Sequence, residues 1–219
     1  ILTSSFISGG NNVIFEHASR IHQRGDMEII LLFPEEVSDQ DLAWHPMANS
    51  VPRKTYNEAK KIKFDALIAT FWKTCYELFQ FQAKSYLYFN QSVESTFYEN
   101  INQKKYAESS YLLGLNIITE ASWIQKYIFQ NYNHQAELVL NGINKDNYGI
   151  EGNVIQPKTE NKLRVLIEGS YEYSFKNIPN TLKLCKQSKA DEIWWLTSSD
   201  IKEYEGIDKV FSKIPIDKV

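Results

Sequence analysis

Cysteine is scarce in this sequence, and long apolar runs are missing. Cys75 and Cys185 are the only two cysteines, and each lies in an apolar helical pattern far from the other. We therefore expect two reduced, buried thiols, as in a protein of a reducing compartment. No run approaches the roughly 20 apolar residues that span a bilayer, and the first residues lack the layout of a signal peptide. The sequence predicts a cytoplasmic protein and leaves association with a membrane surface open.

An excess of positive charge is missing as well. The chain has 24 Lys and Arg against 27 Asp and Glu, a net charge of -3, so nucleic acid is not an expected partner. The four histidines show no metal-ligand spacing, and we expect no metal site. The sequence does have apolar residues, 43% of its 219 positions, which is enough for one large domain or two small ones.

The first 33 residues predict a strand, a helix and a second strand. The first strand ends at Ser8, and the chain begins inside it, so an upstream segment is expected to be missing. The helix begins at Gly9-Gly10 and stops at Gly25, where a left-handed residue is favoured. Residues 27–33 form a continuous apolar run, typical of a parallel strand covered on both faces. The apolar stripe of the helix consists of Ile14, Ala18 and Ile21.

Strands continue to alternate with helices further along the chain. Residues 35–52 are predicted to be irregular, and Asp39-Gln40-Asp41 within them is predicted to be a solvated loop rather than a metal-binding acidic pair. Helices are expected after Phe71-Trp72, over 104–113, and from Ser122, which is the predicted cap. The pattern predicts an α/β fold with a parallel sheet covered by helices on both faces. Further strands are predicted at 65–70, 85–89, 115–119 and 136–140.

Ligands of such sheets bind at the carboxyl ends of the strands. At the first of these ends, Gly9 and Gly10 lack a Cβ and precede the free N–H groups of a helix, an arrangement that suits a diphosphate. A tight strand-to-helix turn is the alternative, because the pair does not complete a GxGxxG pattern. The other predicted ends are Thr70-Phe71-Trp72, Asn90-Gln91 and Glu120-Ala121-Ser122.

A second unit is predicted after a linker. The composition of residues 144–161 is typical of a linker, and a new strand is predicted at 163–167, a helix at 178–188, and strands at 191–196 and 209–212. We therefore divide the chain into a first Rossmann-like domain at 1–143, a linker at 144–161, and the start of a second, incomplete Rossmann-like domain at 162–219.

Taken together, several motifs resemble those of retaining glycosyltransferases of the GT-B architecture. The resemblance is to family 4, the group 1 transferases, and within it to bacterial rhamnosyltransferase-like members. It covers nearly the whole chain in the correct order. The motifs are Ser8-Gly9-Gly10, Arg24-Gly25-Asp26-Met27-Glu28, Tyr88-Phe89-Asn90-Gln91-Ser92-Val93-Glu94, Ala121-Ser122-Trp123-Ile124, Leu140-Asn141-Gly142-Ile143-Asn144, and Val165-Leu166-Ile167-Glu168-Gly169 followed by Phe175-Lys176-Asn177.

The resemblance implies an enzyme that transfers a sugar from a nucleotide-diphosphate donor to a hydroxyl, with retention and without a metal or other cofactor. The expected partners are a nucleotide sugar and a saccharide or glycolipid acceptor, as in polysaccharide or glycoconjugate synthesis. Gly9 and Gly10 would contact the donor diphosphate from the first domain. Lys176 would match the lysine of the family that pairs with the diphosphate, and an ordinary surface lysine is the alternative.

Further residues are candidates for contact with the acceptor or the sugar. Gln91 and Glu94 share one face if a helix begins there, and a helix cap is the alternative for them. Trp72 and Trp123 could stack on sugar rings, and core packing is their alternative. The full set is Asn90, Gln91, Glu94, Trp72, Ser122 and Trp123.

Two departures from the family pattern keep other functions open. Ser170 follows Gly169 where the family has an arginine, and the motif that grips the nucleotide ribose would lie beyond Val219. The 219-residue fragment is therefore expected to be inactive by itself. A sugar- or nucleotide-binding module without turnover is one alternative. A nicotinamide-dependent oxidoreductase is another, although the third glycine is missing and Pro34-Glu35 matches its acidic position only in part.

Overall fold

The protein is described by a computed structural model that covers residues 1–145 and 160–215. The chain divides into two compact units, Ile1–Gly142 and Ile143–Val219. Every strand pair in the described residues is parallel, and helices separate most of the strands along the chain. This confirms the predicted α/β class and is consistent with a Rossmann-like fold. Most of the predicted linker lies outside the described residues.

The first unit contains six strands and six helices. A two-stranded sheet has the order β1-β2, and a four-stranded sheet has the order β3-β4-β5-β6. The bounds are α1 Gly9–Arg24, β1 Leu31–Phe33, α2 Asp39–Leu42, β2 Arg53–Thr55, α3 Tyr56–Ala59, β3 Lys63–Ala69, α4 Trp72–Glu77, β4 Gln82–Asn90, α5 Ile101–Ser109, β5 Asn116–Thr119, α6 Ser122–Tyr132 and β6 Glu137–Leu138.

The segment Ile1-Leu2 lies between the two sheets of this unit. The N–H of Leu2 donates to the carbonyl oxygen of Leu32 in β1 at 2.9 Å. The amino group of Ile1 donates to the carbonyl oxygen of Ile68 in β3 at 2.7 Å. The spatial order is therefore β2-β1-segment-β3-β4-β5-β6. Chain order reverses between the segment and β3, and open parallel sheets bind ligands at such a switch point.

Two apolar clusters pack on the strands of the first unit. One surrounds Phe15 of α1 and includes Leu31 and Phe33 of β1. The other contains Leu32, which points to the opposite face of the same strand, together with buried residues of β3, β4, β5, α4 and α6. Because neighbouring strand residues alternate between faces, β1 joins the two clusters.

Helix α1 begins and ends where the sequence predicts. The side chain of Ser8 accepts a hydrogen bond from the N–H of Asn11 at 3.1 Å, and Gly25 ends the helix at a φ of 73°. Ile14, Phe15 and Ala18 are buried. Phe15 extends the predicted apolar stripe because it contacts Trp44 and His45, which belong to the segment predicted to be irregular.

Two predicted strands are shorter than expected or irregular. Residues 3–7 form no regular strand, since the side chain of Asn11 and the indole N–H of Trp44 donate to their carbonyl groups in place of a neighbouring strand. The strand predicted at 27–33 is reduced to Leu31–Phe33, because its first part is open to solvent and Met27 is 61% exposed.

The segment predicted to be irregular contains short regular elements. Asp39-Gln40-Asp41 begins the one-turn helix α2, in which Ser38 and Asp41 form a capping box, and Asp39 pairs with Arg53. The segment continues into β2, whose last residue, Thr55, caps α3 in the same way with Glu58. These elements are only three or four residues long, so they carry no clear periodic signal.

Two helix starts differ from the prediction. Helix α5 begins at Ile101 rather than 104, because the side chain of Asn100 accepts from the N–H groups of Asn102 and Gln103. The predicted cap Ser122 is instead the first residue of α6. Ala121 occupies the cap position, and no side chain caps this helix.

The described residues of the second unit form a three-stranded parallel sheet in the order β7-β8-β9, with one α-helix packed against it. Gly169, directly after β7, has a φ of 142°, and its carbonyl oxygen accepts the indole N–H of the buried Trp195 at 2.9 Å. The bounds are β7 Arg164–Glu168, α7 Ile178–Lys186, β8 Glu192–Thr197 and β9 Lys209–Ser212.

Two expectations about the whole chain can be checked on the described residues. Cys75 and Cys185 are both free, as predicted, but only Cys75 is buried, whereas Cys185 is partly exposed. Within 1–145 and 160–215, no helix combines the length and the apolar character that a membrane span needs.

Gly169→Ala should destabilise the second unit. A Cβ at this position would lie 2.7 Å from Cδ1 of the buried Ile178, and the φ of 142° is strained for any L side chain. We expect a loss of about 1–3 kcal/mol, measured by urea unfolding and by faster hydrogen exchange in β7 and β8. Gly142→Ala is the control, because a Cβ there would have no atom within 4 Å and no positive φ is involved. Equal stability of the two variants would contradict the prediction.

Candidate functional site

The amino end of α1 lies at the switch point of the first unit. Ser8 satisfies the N–H of Asn11, whereas the N–H groups of Gly9 and Gly10 donate to no other described residue. A Cβ at Gly9 would have no heavy atom within 4 Å. Gly9 is exposed and Gly10 is partly exposed, so their unbonded N–H groups belong to a helix amino end at the surface, where anions can bind.

Gln91 is the predicted residue that the fold brings next to these glycines. Its Nε2 donates to the carbonyl oxygen of Gly10 at 3.3 Å, and it would lie 3.5 Å from a Cβ at Gly10. This contact places the carboxyl end of β4 beside the start of α1. Gly9, Gly10 and Gln91 thus form a partly exposed group, which we call the glycine edge.

Glu94 lies inside the protein instead of on the surface of this edge. It is 3% exposed, and its Oε2 accepts the backbone N–H of Trp72 at 2.6 Å and the hydroxyl of Tyr88 at 2.8 Å. The alternative explanation of Glu94 as a helix cap agrees with these contacts. The helix that it caps is α4, however, rather than the short turn that begins at Glu94 itself.

Burial controls the ionisation of Glu94. Removal from solvent raises the pKa of this carboxyl to about 8, and the hydrogen bonds from Tyr88 and Trp72 oppose that rise only in part. At neutral pH the neutral acid is therefore the main form. The same burial, together with the nearby Glu94, raises the pKa of Tyr88 well above its ordinary value.

Asn90 continues the buried network. It is fully buried, and its Nδ2 donates to the hydroxyl of Tyr88 at 2.8 Å. A hydrogen-bonded chain thus runs from the N–H of Trp72 through Glu94 and Tyr88 to Asn90. In this conformation the side chains of Asn90 and Glu94 are buried behind the glycine edge and do not reach its surface.

The two candidate tryptophans have different environments. Trp72 is 7% exposed, and its indole N–H donates to the hydroxyl of Tyr98 at 2.9 Å. These contacts agree with the alternative of core packing rather than stacking on a sugar. Trp123 is 57% exposed on α6. No ring contact or hydrogen bond joins Trp123 or Ser122 to the described residues of the glycine edge. The ring of Trp123 is therefore largely open to solvent.

Lys176 belongs to the second unit, where it lies above the carboxyl end of β7. Its Nζ is 3.5 Å from a carboxylate oxygen of Glu168, and its Cδ would lie 3.5 Å from a Cβ at Gly169. Both charged side chains are partly exposed. The lysine is thus positioned at a strand end, as predicted, but it already has a carboxylate partner.

Several hydroxyl groups at the strand ends of the second unit were not predicted. Ser170 forms a hydrogen bond with Ser198. The hydroxyl of Ser199 accepts the N–H of Tyr171 at 2.8 Å and donates to Glu172. The run Thr197-Ser198-Ser199 directly after an apolar strand was the available signal. Tyr88 was also missed, because an aromatic residue in a strand usually indicates packing.

Metal chemistry has no assembled ligand set in the part of the chain that the structure describes, where no three His, Cys, Asp or Glu side chains lie together in a metal-binding arrangement. Comparison with known proteins adds no assignment: no family model, no curated protein and no solved structure matches this chain.

Glu94→Gln should remove a pH-dependent cost to folding. Because the pKa is raised from 4.5 to about 8 in the folded state, the unfolded state releases this proton first, and wild-type stability falls as pH rises from about 4.5 to about 8. Glutamine cannot ionise, and its carbonyl oxygen can still accept from Trp72 and Tyr88. We expect the variant to gain on the order of 3 kcal/mol relative to wild type between pH 5 and pH 8.

Urea unfolding at pH 5, 6, 7 and 8 measures this difference. Glu99→Gln is the matched control, since Glu99 lies in the same connection but is exposed. If wild type and Glu94→Gln differ in their free energy of unfolding by the same amount at every pH, Glu94 ionises normally in the folded protein.

Proposed function

We propose that the chain is part of a GT-B glycosyltransferase that moves a sugar from a nucleotide-diphosphate donor to a hydroxyl with retention. The observation that carries the proposal is the amino end of α1, where the N–H groups of the exposed Gly9 and the partly exposed Gly10 donate to no other described residue. Parallel α/β units and the sequence resemblance support the same assignment. The acceptor is a saccharide or glycolipid, and no metal or other cofactor takes part.

The proposed role of the glycine edge is to stabilise the diphosphate as the sugar leaves. Negative charge grows on the leaving phosphate in this step, and N–H groups fixed by a helix interact with that charge without reorganisation. Gln91 holds the backbone of Gly10, so it orients the edge. Trp123, with its exposed ring, offers a stacking surface for a saccharide.

In the second unit, Lys176 is proposed to be the cation that binds the diphosphate. A lysine ammonium is a compact charge suited to a phosphate. Its present partner, Glu168, is itself partly exposed and 3.5 Å away, which is a weak pairing in water. Diphosphate, with more than one negative charge, competes effectively with a single carboxylate for this ammonium.

A binding module without turnover is the second candidate. Two observations favour it: Ser170 stands where the family has an arginine and is hydrogen-bonded to Ser198, and Glu168 offsets the charge of Lys176. Both features reduce the positive charge available to stabilise a leaving diphosphate. A module of this kind would bind a nucleotide or a sugar but would show no transfer.

Gly9→Val should weaken diphosphate binding with little effect on folding. The valine side chain would crowd the exposed amino end of α1, and its Cβ would have no atom within 4 Å outside its chain neighbours and its own helix. We expect about a tenfold loss of affinity for pyrophosphate and for uridine, guanosine and thymidine diphosphates, measured by calorimetry on the 219-residue chain.

The melting temperature of each variant provides the control for this experiment. Gly142→Val places the same side chain at another open glycine and should leave affinity unchanged. Unchanged affinity in Gly9→Val would remove the anion site at α1, and with it the observation that carries the proposed function.

Lys176 and Glu168 should change diphosphate affinity in opposite directions. Lys176→Ala removes a charge-assisted contact and should lower affinity about ten- to a hundredfold, and Lys176→Arg should restore only part of it. Glu168→Gln frees the ammonium from its carboxylate partner and should raise affinity severalfold. Calorimetry with the same diphosphates measures all three variants, and an Ala variant with wild-type affinity would identify Lys176 as a surface lysine only.

A further inference from the structure

Two buried oxygen atoms lie side by side at the carboxyl ends of β4 and β5. Asn90 and Thr119 are register partners in the parallel ladder, and both are fully buried. Neither Oδ1 of Asn90 nor Oγ1 of Thr119 has a hydrogen-bond partner among the described residues. Partner strands lie about 4.8 Å apart, and paired residues point to the same face. One small molecule placed between the two side chains can therefore reach both oxygens.

The orientation of the Asn90 amide is set by its neighbours. Tyr88 has one hydroxyl proton, which it donates to Glu94, so its oxygen accepts from Nδ2 of Asn90. With the NH2 group directed at the hydroxyl of Tyr88, the remaining Oδ1 of Asn90 is a pure acceptor.

We propose that Asn90 and Thr119 form a buried binding site for one water molecule. The water donates one proton to Oδ1 of Asn90 and shares a hydrogen bond with Oγ1 of Thr119. The proposal stands on the geometry of the first unit alone and does not depend on the function proposed above.

Energetics favour an occupied site. A buried oxygen without a hydrogen bond costs the full free energy of its lost hydration. Without a water, this fold would have that cost at both Asn90 and Thr119, which are paired across neighbouring strands. One shared water offsets both, in the way that buried waters satisfy paired polar groups in other proteins. The water also extends the chain of hydrogen bonds from α4 through β4 to β5.

Two measurements test for the water directly. A high-resolution crystal structure of the 219-residue chain should show ordered density roughly 2.7–3.2 Å from both oxygens. In solution, NMR should show cross-peaks of a long-lived water with the Asn90 amide protons and with Thr119. Thr119→Ser keeps the hydroxyl and should keep the cross-peaks to Asn90, whereas Thr119→Val should weaken or abolish them.

The stability of Thr119→Val gives an independent result, because valine has nearly the same shape as threonine. If the hydroxyl is bonded to water, its removal should lower the folding equilibrium constant about tenfold in urea unfolding. If the hydroxyl has no partner, the same replacement should leave stability unchanged or raise it. That second result would overturn the proposal, as would a structure in which Thr119 rotates to bond a backbone carbonyl with no density between the residues.

Discussion

The two hydrogen bonds that the buried Glu94 carboxyl accepts are the interactions on which the residues behind the glycine edge depend. Through a single oxygen it holds the first N–H of α4 and the hydroxyl of Tyr88 in β4. An ionised carboxylate in such a place is costly unless several donors surround it, and two donors do not prevent the rise in its pKa. The protein therefore keeps a neutral acid as a cross-link between a helix start and a strand. This cross-link positions Trp72, and Trp72 in turn positions Tyr98.

The two units differ in how they fill the space beside two glycines, Gly9 at the start of α1 and Gly169 directly after β7. At Gly9 the space is empty, and the helix N–H groups are free. At Gly169 the side chains of Lys176 and Ile178 approach closely, and the carbonyl group is bonded to Trp195. Glycine is thus needed at 169 for internal packing, whereas at 9 nothing inside the protein requires it. Gly9 and the unbonded N–H groups beside it are therefore the basis of the diphosphate site proposed above.

The sequence predicted the larger elements well because each carries its own signal. Helix α1 has a serine cap, an apolar stripe and a glycine stop, and β9 was predicted with the bounds Lys209–Ser212 that the structure shows. The short elements β2 and α3 were missed, since three or four residues give no period. Gln91 was predicted at a strand end, and its contact with Gly10 follows from the parallel order of the strands.

What the sequence could not reveal are the long-range pairings inside the site. Glu94 was treated as part of its own local turn, but its partners Trp72 and Tyr88 come from other elements, and only the fold brings them together. The carboxylate of Glu168 beside Lys176 was missed for a similar reason. The spacing of these two residues fits neither a helix nor a strand, so a loop geometry had to be known.

The exclusively parallel pairing also has a consequence for how the chain folds. Two parallel strands cannot be joined by a tight hairpin. Each strand can pair with its neighbour only after the connecting segment has returned the chain to the same end of the sheet. That closure costs chain entropy before any ladder bond repays it. The segment Ile1-Leu2 is an extreme case, because it must insert between β1 and β3, which come later in the chain. Assembly of the first unit is therefore expected to be slow and to remain incomplete until the earliest residues of the chain take their place between strands formed after them.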